Sequence, residues 1–241
     1  MITSATTIET VTGRQIDLSN PNVSDISVED IAWGLSRQAR FAGHTITDIP
    51  YSVAQHSCYV ADLVKNALTP GHPLSRVYEQ SLNDHNTKIA TSLNDAADQI
   101  LISNQHWCES TITAAVFGAL LHDASEAYLV DLPSPVKRLP GVYEAYSQVE
   151  ARVMYCIYEA FNLPYRNKWP ETKAACEFVI GWADLFARAV EAYHFMPSRG
   201  ANWGLQKPTV AQLHSFRQPV PSLQAYLEFM VKFQDLRGSI L

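Results

Sequence analysis

The sequence predicts an all-α protein, and three observations predict it. Apolar residues recur at helical spacing in four separate stretches, residues 53–68, 114–127, 143–161 and 171–195. Helix-start signals precede several of them: Ser52 stands before the first and the Trp169-Pro170-Glu171 run before the last. Strand character is confined to one short arm, residues 11–18.

Taken in order, residues 1–26 are rich in Thr, Ser and Asn, and Asn20-Pro21-Asn22 turns the chain. Ser27-Val28-Glu29-Asp30 has the form of a capping box, so a helix is expected from Ser27, carrying Ile31, Trp33, Leu35 and Ala39 and ending near Gly43. Its last residues pass into a loop with one cation, Arg40, followed by Phe41. Ser52 then caps a helix over Val53–Leu68, whose apolar row of Val53, Val60 and Ala67 contains His56. Residues 69–110 change character. They are polar, with weak helical segments at 74–82 and 89–102, and read as an insertion within a single domain spanning 1–241. His72, His85 and His106 fall there and are expected at the surface.

Residues 114–127 are the centre of the prediction. They read as one buried helix into which His122, Asp123 and Glu126 are set. Asp123 falls in the row of Val116, Leu120 and Ala127, and His122 and Glu126 fall in the row of Ala115 and Ala119. Polar groups on core-facing rows cost roughly several kcal/mol unless each is paired or binds a metal. Glu126 lies one turn past both partners, which aims all three towards one point. Pro133 and Pro135 end the helix and stiffen the loop that carries Asp131 and Lys137. A helix over 143–161 follows, then one from about 171 to Phe195. On the latter, Asp184 lies beside the apolar face, with Arg188 and Glu191 four and seven residues on. The three form either a helical ion-pair ladder or, for Asp184, part of a metal site. A last amphipathic helix over 223–236 is expected to pack Leu223, Tyr226, Leu227, Met230 and Val231.

The chain has 241 residues, 47% hydrophobic and 17% charged, with a formal net charge of −6. That balance argues against binding duplex nucleic acid without sequence readout. No apolar run reaches membrane-spanning length, and the first residues have neither the basic nor the apolar segment of a signal peptide. The four cysteines are scattered and read as reduced core thiols of a cytoplasmic protein.

His56, His122, Asp123 and Asp184 together offer two imidazoles and two carboxylates, a donor set suited to one divalent metal with positions left for water and substrate. Such a metal polarises a phosphoryl oxygen and acidifies bound water. Glu126 is spaced to orient or deprotonate that water, and Lys137 and Arg40 offset phosphate charge.

The chain resembles the HD-domain phosphohydrolases, and within them the small bacterial deoxynucleoside 5′-nucleotidases and the phage deoxynucleotide triphosphohydrolases. The resemblance rests on His122-Asp123-Ala124-Ser125-Glu126 and Asp131-Leu132-Pro133-Ser134-Pro135-Val136-Lys137, on Tyr51-Ser52-Val53-Ala54-Gln55-His56, and on Ala183-Asp184. It implies an HD-domain helical bundle, metal ligation by His56, His122, Asp123 and Asp184, and catalysis by Glu126 and Asp131. It also implies phosphate binding by Lys137, and contact of Arg40 and Phe41 with phosphate and base. The expected cofactor is one divalent ion, Co, Mn, Zn or Mg. The expected reaction is attack of metal-bound water on the α-phosphorus of a deoxynucleotide, releasing phosphate from a monophosphate or triphosphate from a triphosphate. Relatives of this kind form homo-oligomers. Two departures stand out. Gly181 occupies a position where relatives often carry lysine, and the 69–110 insertion is long. The competing readings are a nucleotide-binding domain without catalysis, against which the intact Glu126 argues, and a di-iron oxygenase, which would need further ligands such as His44 and His194.

Overall fold

The computed structural model describes residues 5–83, 107–163, 172–205, 208 and 216–240. The fold is all-α, as expected. Its helices are α1 (Val28–Arg37), α2 (Val53–Leu68), α3 (Pro73–Asn83), α4 (Glu109–Leu120), α5 (Glu126–Leu129), α6 (Ser134–Lys137), α7 (Val142–Ala160), α8 (Lys173–Phe195) and α9 (Ser222–Ile240). Of the strand-like arm expected over 11–18, Gln15–Asp17 is a strand, β2; its antiparallel partner, β1 (Thr7–Glu9), lies before that arm, with residues 11–13 in the turn and Ile8 opposite Ile16. The chain forms two compact units. The first comprises Met1–Gln55, Asp123–Asn162 and Gln218–Val231; the second comprises His56–His122, Leu163–Arg217 and Lys232–Leu241.

In the first unit the hairpin is fastened to α1. The Thr12 amide and hydroxyl both donate to the Asp30 carboxylate, at 3.1 and 2.9 Å. Asp30 is thereby spent on the hairpin, and Ser27, although it is the N-cap, makes no side-chain cap bond. The expected capping box is not formed, because Asp30 has a better partner outside the helix. Helix α1 also ends six residues earlier than expected, at Arg37. Gln38 and Ala39 are extended and pair with the segment before α2: the Val53 amide donates to the Gln38 carbonyl (3.0 Å) and the Arg40 amide to the Tyr51 carbonyl (2.8 Å). Ser52 caps α2 as expected, its hydroxyl accepting from the Gln55 amide at 3.2 Å.

In the second unit the aliphatic and aromatic faces of α2, α4 and α8 are buried, including Val60, Val64, Phe117, Leu120, Val179 and Phe195. The 74–82 segment is a stronger helix than its composition suggested. Tyr78 of α3 is buried, with its ring 5.3 Å from that of Trp182 on α8. His72 precedes α3, and its Nδ1 accepts from the Leu74 amide. Residues 84–106 of the expected insertion, with His85, His106 and the 89–102 segment, lie outside the described residues, and its last two residues, Glu109 and Ser110, belong to α4. Three cysteines are buried thiols, but Cys108 is exposed at the start of α4, contrary to expectation.

Helix α9 packs only part of the face expected: Tyr226 and Met230 are half-buried, with the Tyr226 ring stacked on Trp33 at 4.2 Å. Ala225, Phe229 and Phe233 are buried, whereas Leu223, Leu227 and Val231 are exposed. Both rows repeat at i, i+4 and i+8, and the aromatic row takes the core because it removes more apolar area from water per residue.

Gly34 in α1 sets the approach to α5. A Cβ there would stand 2.8 Å from the Cα, Cβ and carbonyl oxygen of Ala127. Alanine in a helix interior normally gains about 0.5–1 kcal/mol over glycine. Here overpacking against backbone, typically about 1–3 kcal/mol, outweighs it. Gly34→Ala is therefore expected to lower the unfolding free energy, read as an earlier denaturant midpoint; an unchanged or later midpoint would contradict this packing.

Candidate functional site

The central stretch is not one continuous helix. Helix α4 ends at Leu120, and the Leu121 amide is shared between the carbonyls of Phe117 and Gly118, each at 3.2 Å. Tight turns follow, with the Glu126 amide on the Asp123 carbonyl (3.0 Å) and the Tyr128 amide on that of Ser125 (3.0 Å), before the single turn of α5. His122, Asp123 and Glu126 thus leave the helical rows on which the sequence set them, because the chain tightens as it leaves α4.

In the second unit, α2 supplies His56, the residue after α4 supplies His122, and α8 supplies Asp184. One ligand atom from each lies within 4.8 Å of the others. His56 is wholly buried, and its Nε2 is 3.2 Å from Asp184 Oδ1. Its other nitrogen, Nδ1, lies 2.6 Å from Glu191 Oε1. His122 Nδ1 lies 2.7 Å from the Ala119 carbonyl oxygen. A carbonyl only accepts, so His122 carries its proton on Nδ1 and offers the Nε2 lone pair. The donor set, two imidazoles and a carboxylate with Nδ1 anchored on both rings, fits a divalent metal. His44, by contrast, is exposed, and the His194 ring is stacked on Phe216 at 4.6 Å between centroids.

In the first unit, Glu126 is buried and its Oε2 has no hydrogen-bond partner among the described residues. Burial, reinforced by the charges of Asp123 and Asp131, pushes its carboxyl up to about 9, against the opposing pull of Arg40 and Lys137. Asp131 and Glu126 are tied together by Gln38. The Gln38 amide nitrogen donates to the Glu126 carbonyl (2.6 Å), and its side-chain oxygen accepts from the Asp131 amide (2.7 Å). Between them Val130 has φ 68° and ψ 150°, a conformation that a β-branched residue adopts only under constraint. Arg40 Nη1 is 3.9 Å from Asp131 Oδ2 and stands over the Phe41 ring, whose backbone is left-handed (φ 56°). Lys137 Nζ is 3.4 Å from Glu150 Oε1 and 4.7 Å from the centre of the Tyr146 ring. The residues expected around a substrate therefore fall in two groups: His56, His122 and Asp184 in one unit; Glu126, Asp131, Arg40, Phe41 and Lys137 in the other. Asp123 bears on Glu126 through its charge.

The sequence does not single out Gln38, and Glu191 reads there only as a member of a helical ion-pair ladder. Glu191 faces His56, so the expected ladder with Asp184 and Arg188 gives way to two carboxylates placed on one imidazole. The interval of seven residues between Asp184 and Glu191, two helical turns on one face, was its available signal. Gln38 carried none, since its two partners lie 88 and 93 residues away.

The family model for YfbR-like 5′-deoxynucleotidases matches residues 72–192. The chain belongs to this HD-domain family, whose membership points to a phosphohydrolase. Among its relatives, an uncharacterised protein of Rhodobacter capsulatus is 31% identical over 154 residues, 64% of this chain and 57% of the relative. The chain thus spans little more than half of that protein's length. The uncharacterised protein YfdR of Escherichia coli is 27% identical over 229 residues, 95% of this chain and 94% of the relative. No helix among the described residues is long and apolar enough to cross a membrane.

Two expected outcomes follow from this geometry. The folded Glu126 carboxyl binds its proton more tightly than the unfolded one, whose ordinary value is 4.5. Between about pH 4.5 and 9 the native state therefore holds the extra proton, and wild-type stability falls as pH rises. In chelator-treated protein, Glu126→Gln should be more stable than wild type near pH 7 by roughly 1–3 kcal/mol, the gap closing towards pH 4.5; denaturant melts across this range that show no gap would refute the raised proton affinity of this buried carboxyl. Gln38→Ala should cost about 1–3 kcal/mol by orphaning the Asp131 amide and one bond to the Glu126 carbonyl, measured in the same melts.

Proposed function

We propose that the protein is a metal-dependent phosphohydrolase that releases inorganic phosphate from 2′-deoxynucleoside 5′-monophosphates. The observation that supports this most directly is the His56–His122–Asp184 cluster in a chain of a 5′-deoxynucleotidase family. In this reading these three residues hold a divalent ion, with Asp123, the next residue after His122, as a fourth ligand. The ion, when bound, supplies positive charge that acidifies water and offsets the charge on a phosphoryl oxygen.

The chain's own groups do the rest. Glu126, a buried carboxyl with a raised affinity for protons, is the proton carrier. It acts as the carboxylate, the form that a cation bound beside it would favour, and takes a proton from the attacking water as the new oxygen–phosphorus bond forms. It returns the proton to the O5′ oxygen as the bond between phosphorus and O5′ breaks, so that nucleoside and phosphate leave with atoms balanced. Asp131 contacts the sugar or the attacking water. Arg40 and Lys137 bind the phosphate, and Phe41 the base. Arg40 and Lys137 are each already beside an acidic residue, Asp131 and Glu150. That commitment suits one phosphate group better than three, which is why the monophosphate is preferred over a triphosphate as substrate. The rest of the reading is a homo-oligomer without affinity for duplex nucleic acid, formed by one domain with residues 69–110 as an insertion.

The test is a substrate panel with stripped and metal-loaded protein. Phosphate should appear from deoxynucleoside monophosphates with Mn, Co, Zn or Mg and disappear with chelator. Triphosphate released from deoxynucleoside triphosphates would reassign the substrate, and no turnover of any nucleotide by metal-loaded protein would leave a binding domain. Glu126→Ala should lower kcat by about 10²–10⁴-fold while metal stays bound.

A further inference from the structure

We infer that Glu191 is a positioning residue for the metal centre, fixing which nitrogen of His56 faces the ion. This rests on the reading of His56 as a metal ligand. Asp184 and Glu191 project from one face of α8 and place a carboxylate at each nitrogen of a single ring: Asp184 at Nε2 (3.2 Å) and Glu191 at Nδ1 (2.6 Å). His56 and Glu191 are both 0% exposed. A carboxylate removed from water costs several kcal/mol, roughly, unless hydrogen-bonded and offset by positive charge. The Nδ1–H of a neutral imidazole supplies the hydrogen bond but no charge. A cation on the opposite nitrogen supplies the charge, transmitted through the ring. The hydrogen bond also holds the imidazole plane and keeps the Nε2 lone pair directed to the side where Asp184 and His122 present their ligand atoms. His122 has its Nδ1 held by a backbone carbonyl, so the two imidazoles are held differently. An acceptor at Nδ1 that fixes the ring and its tautomer in this way is a common support for a metal-binding histidine.

The experiment compares Mn(II) affinity of wild type, Glu191→Met and Glu191→Gln, by titration calorimetry or by the loss of the free-ion EPR signal. Methionine fills a similar volume but accepts no hydrogen bond, and is expected to weaken Mn(II) binding roughly tenfold to a hundredfold. Glutamine keeps an oxygen for the Nδ1–H and should stay within a few-fold of wild type. Equal affinity in wild type and Glu191→Met overturns the inference. Should Glu191→Met fail to fold, NMR of zinc-loaded wild type decides: a slowly exchanging proton on His56 Nδ1 supports the inference, and a proton on Nε2 overturns it. Wild type that binds none of Mn(II), Co(II) or Zn(II) removes this inference and the hydrolase reading together. Wild type that binds metal through His56 yet hydrolyses no nucleotide removes the hydrolase reading alone.

Discussion

A histidine with no exposed surface, gripped at one nitrogen by an equally buried carboxylate, is the constraint on which the second unit depends. His56 and Glu191 come from helices 135 residues apart in the chain and meet at 2.6 Å. In that interior each meets a polar need of the other: the carboxylate accepts and the imidazole Nδ1 donates. Their pairing fixes the lateral register of α2 against α8, and that register is what brings Asp184 to the other nitrogen. Apolar packing of Val60, Val64 and Val179 holds the helices together, and the polar pair adds a directional contact to it.

The first unit solves a different problem. It keeps a carboxylic acid, Glu126, out of water and next to two acidic neighbours, and so raises its affinity for a proton. This arrangement is unfavourable to folding and must be held by something else. Gln38 holds it by bonding the backbone on both sides of the strained Val130, and Arg40 and Lys137 temper the charge.

Local features were legible in the sequence in proportion to how local their causes are. Ser52 and the helix after it could be read because a cap and an apolar row act within a few residues. His56, His122 and Asp184 could be read as a group because three polar residues on apolar faces need a common explanation. Ser27 misled because its capping partner, Asp30, had been claimed by Thr12 from the hairpin. The break after Leu120 was hidden because His122 to Ala127 fits helical spacing and tight turns almost equally well. Helix α9 offered two apolar rows, and no rule within the helix tells which will meet a core built elsewhere. Glu191 and Gln38 act on residues that are distant in the chain, so only the folded backbone introduces them.

The approach of α1 to Ala127 has a consequence for how this protein can change over generations. A hydrogen atom at Gly34 is all that separates the two backbones. Position 34 of α1 admits no side chain without displacing Ala127. A substitution there would push on the turn that bears Glu126, so a change in α1 would reach that buried carboxyl through the main chain, without the carboxyl itself being altered.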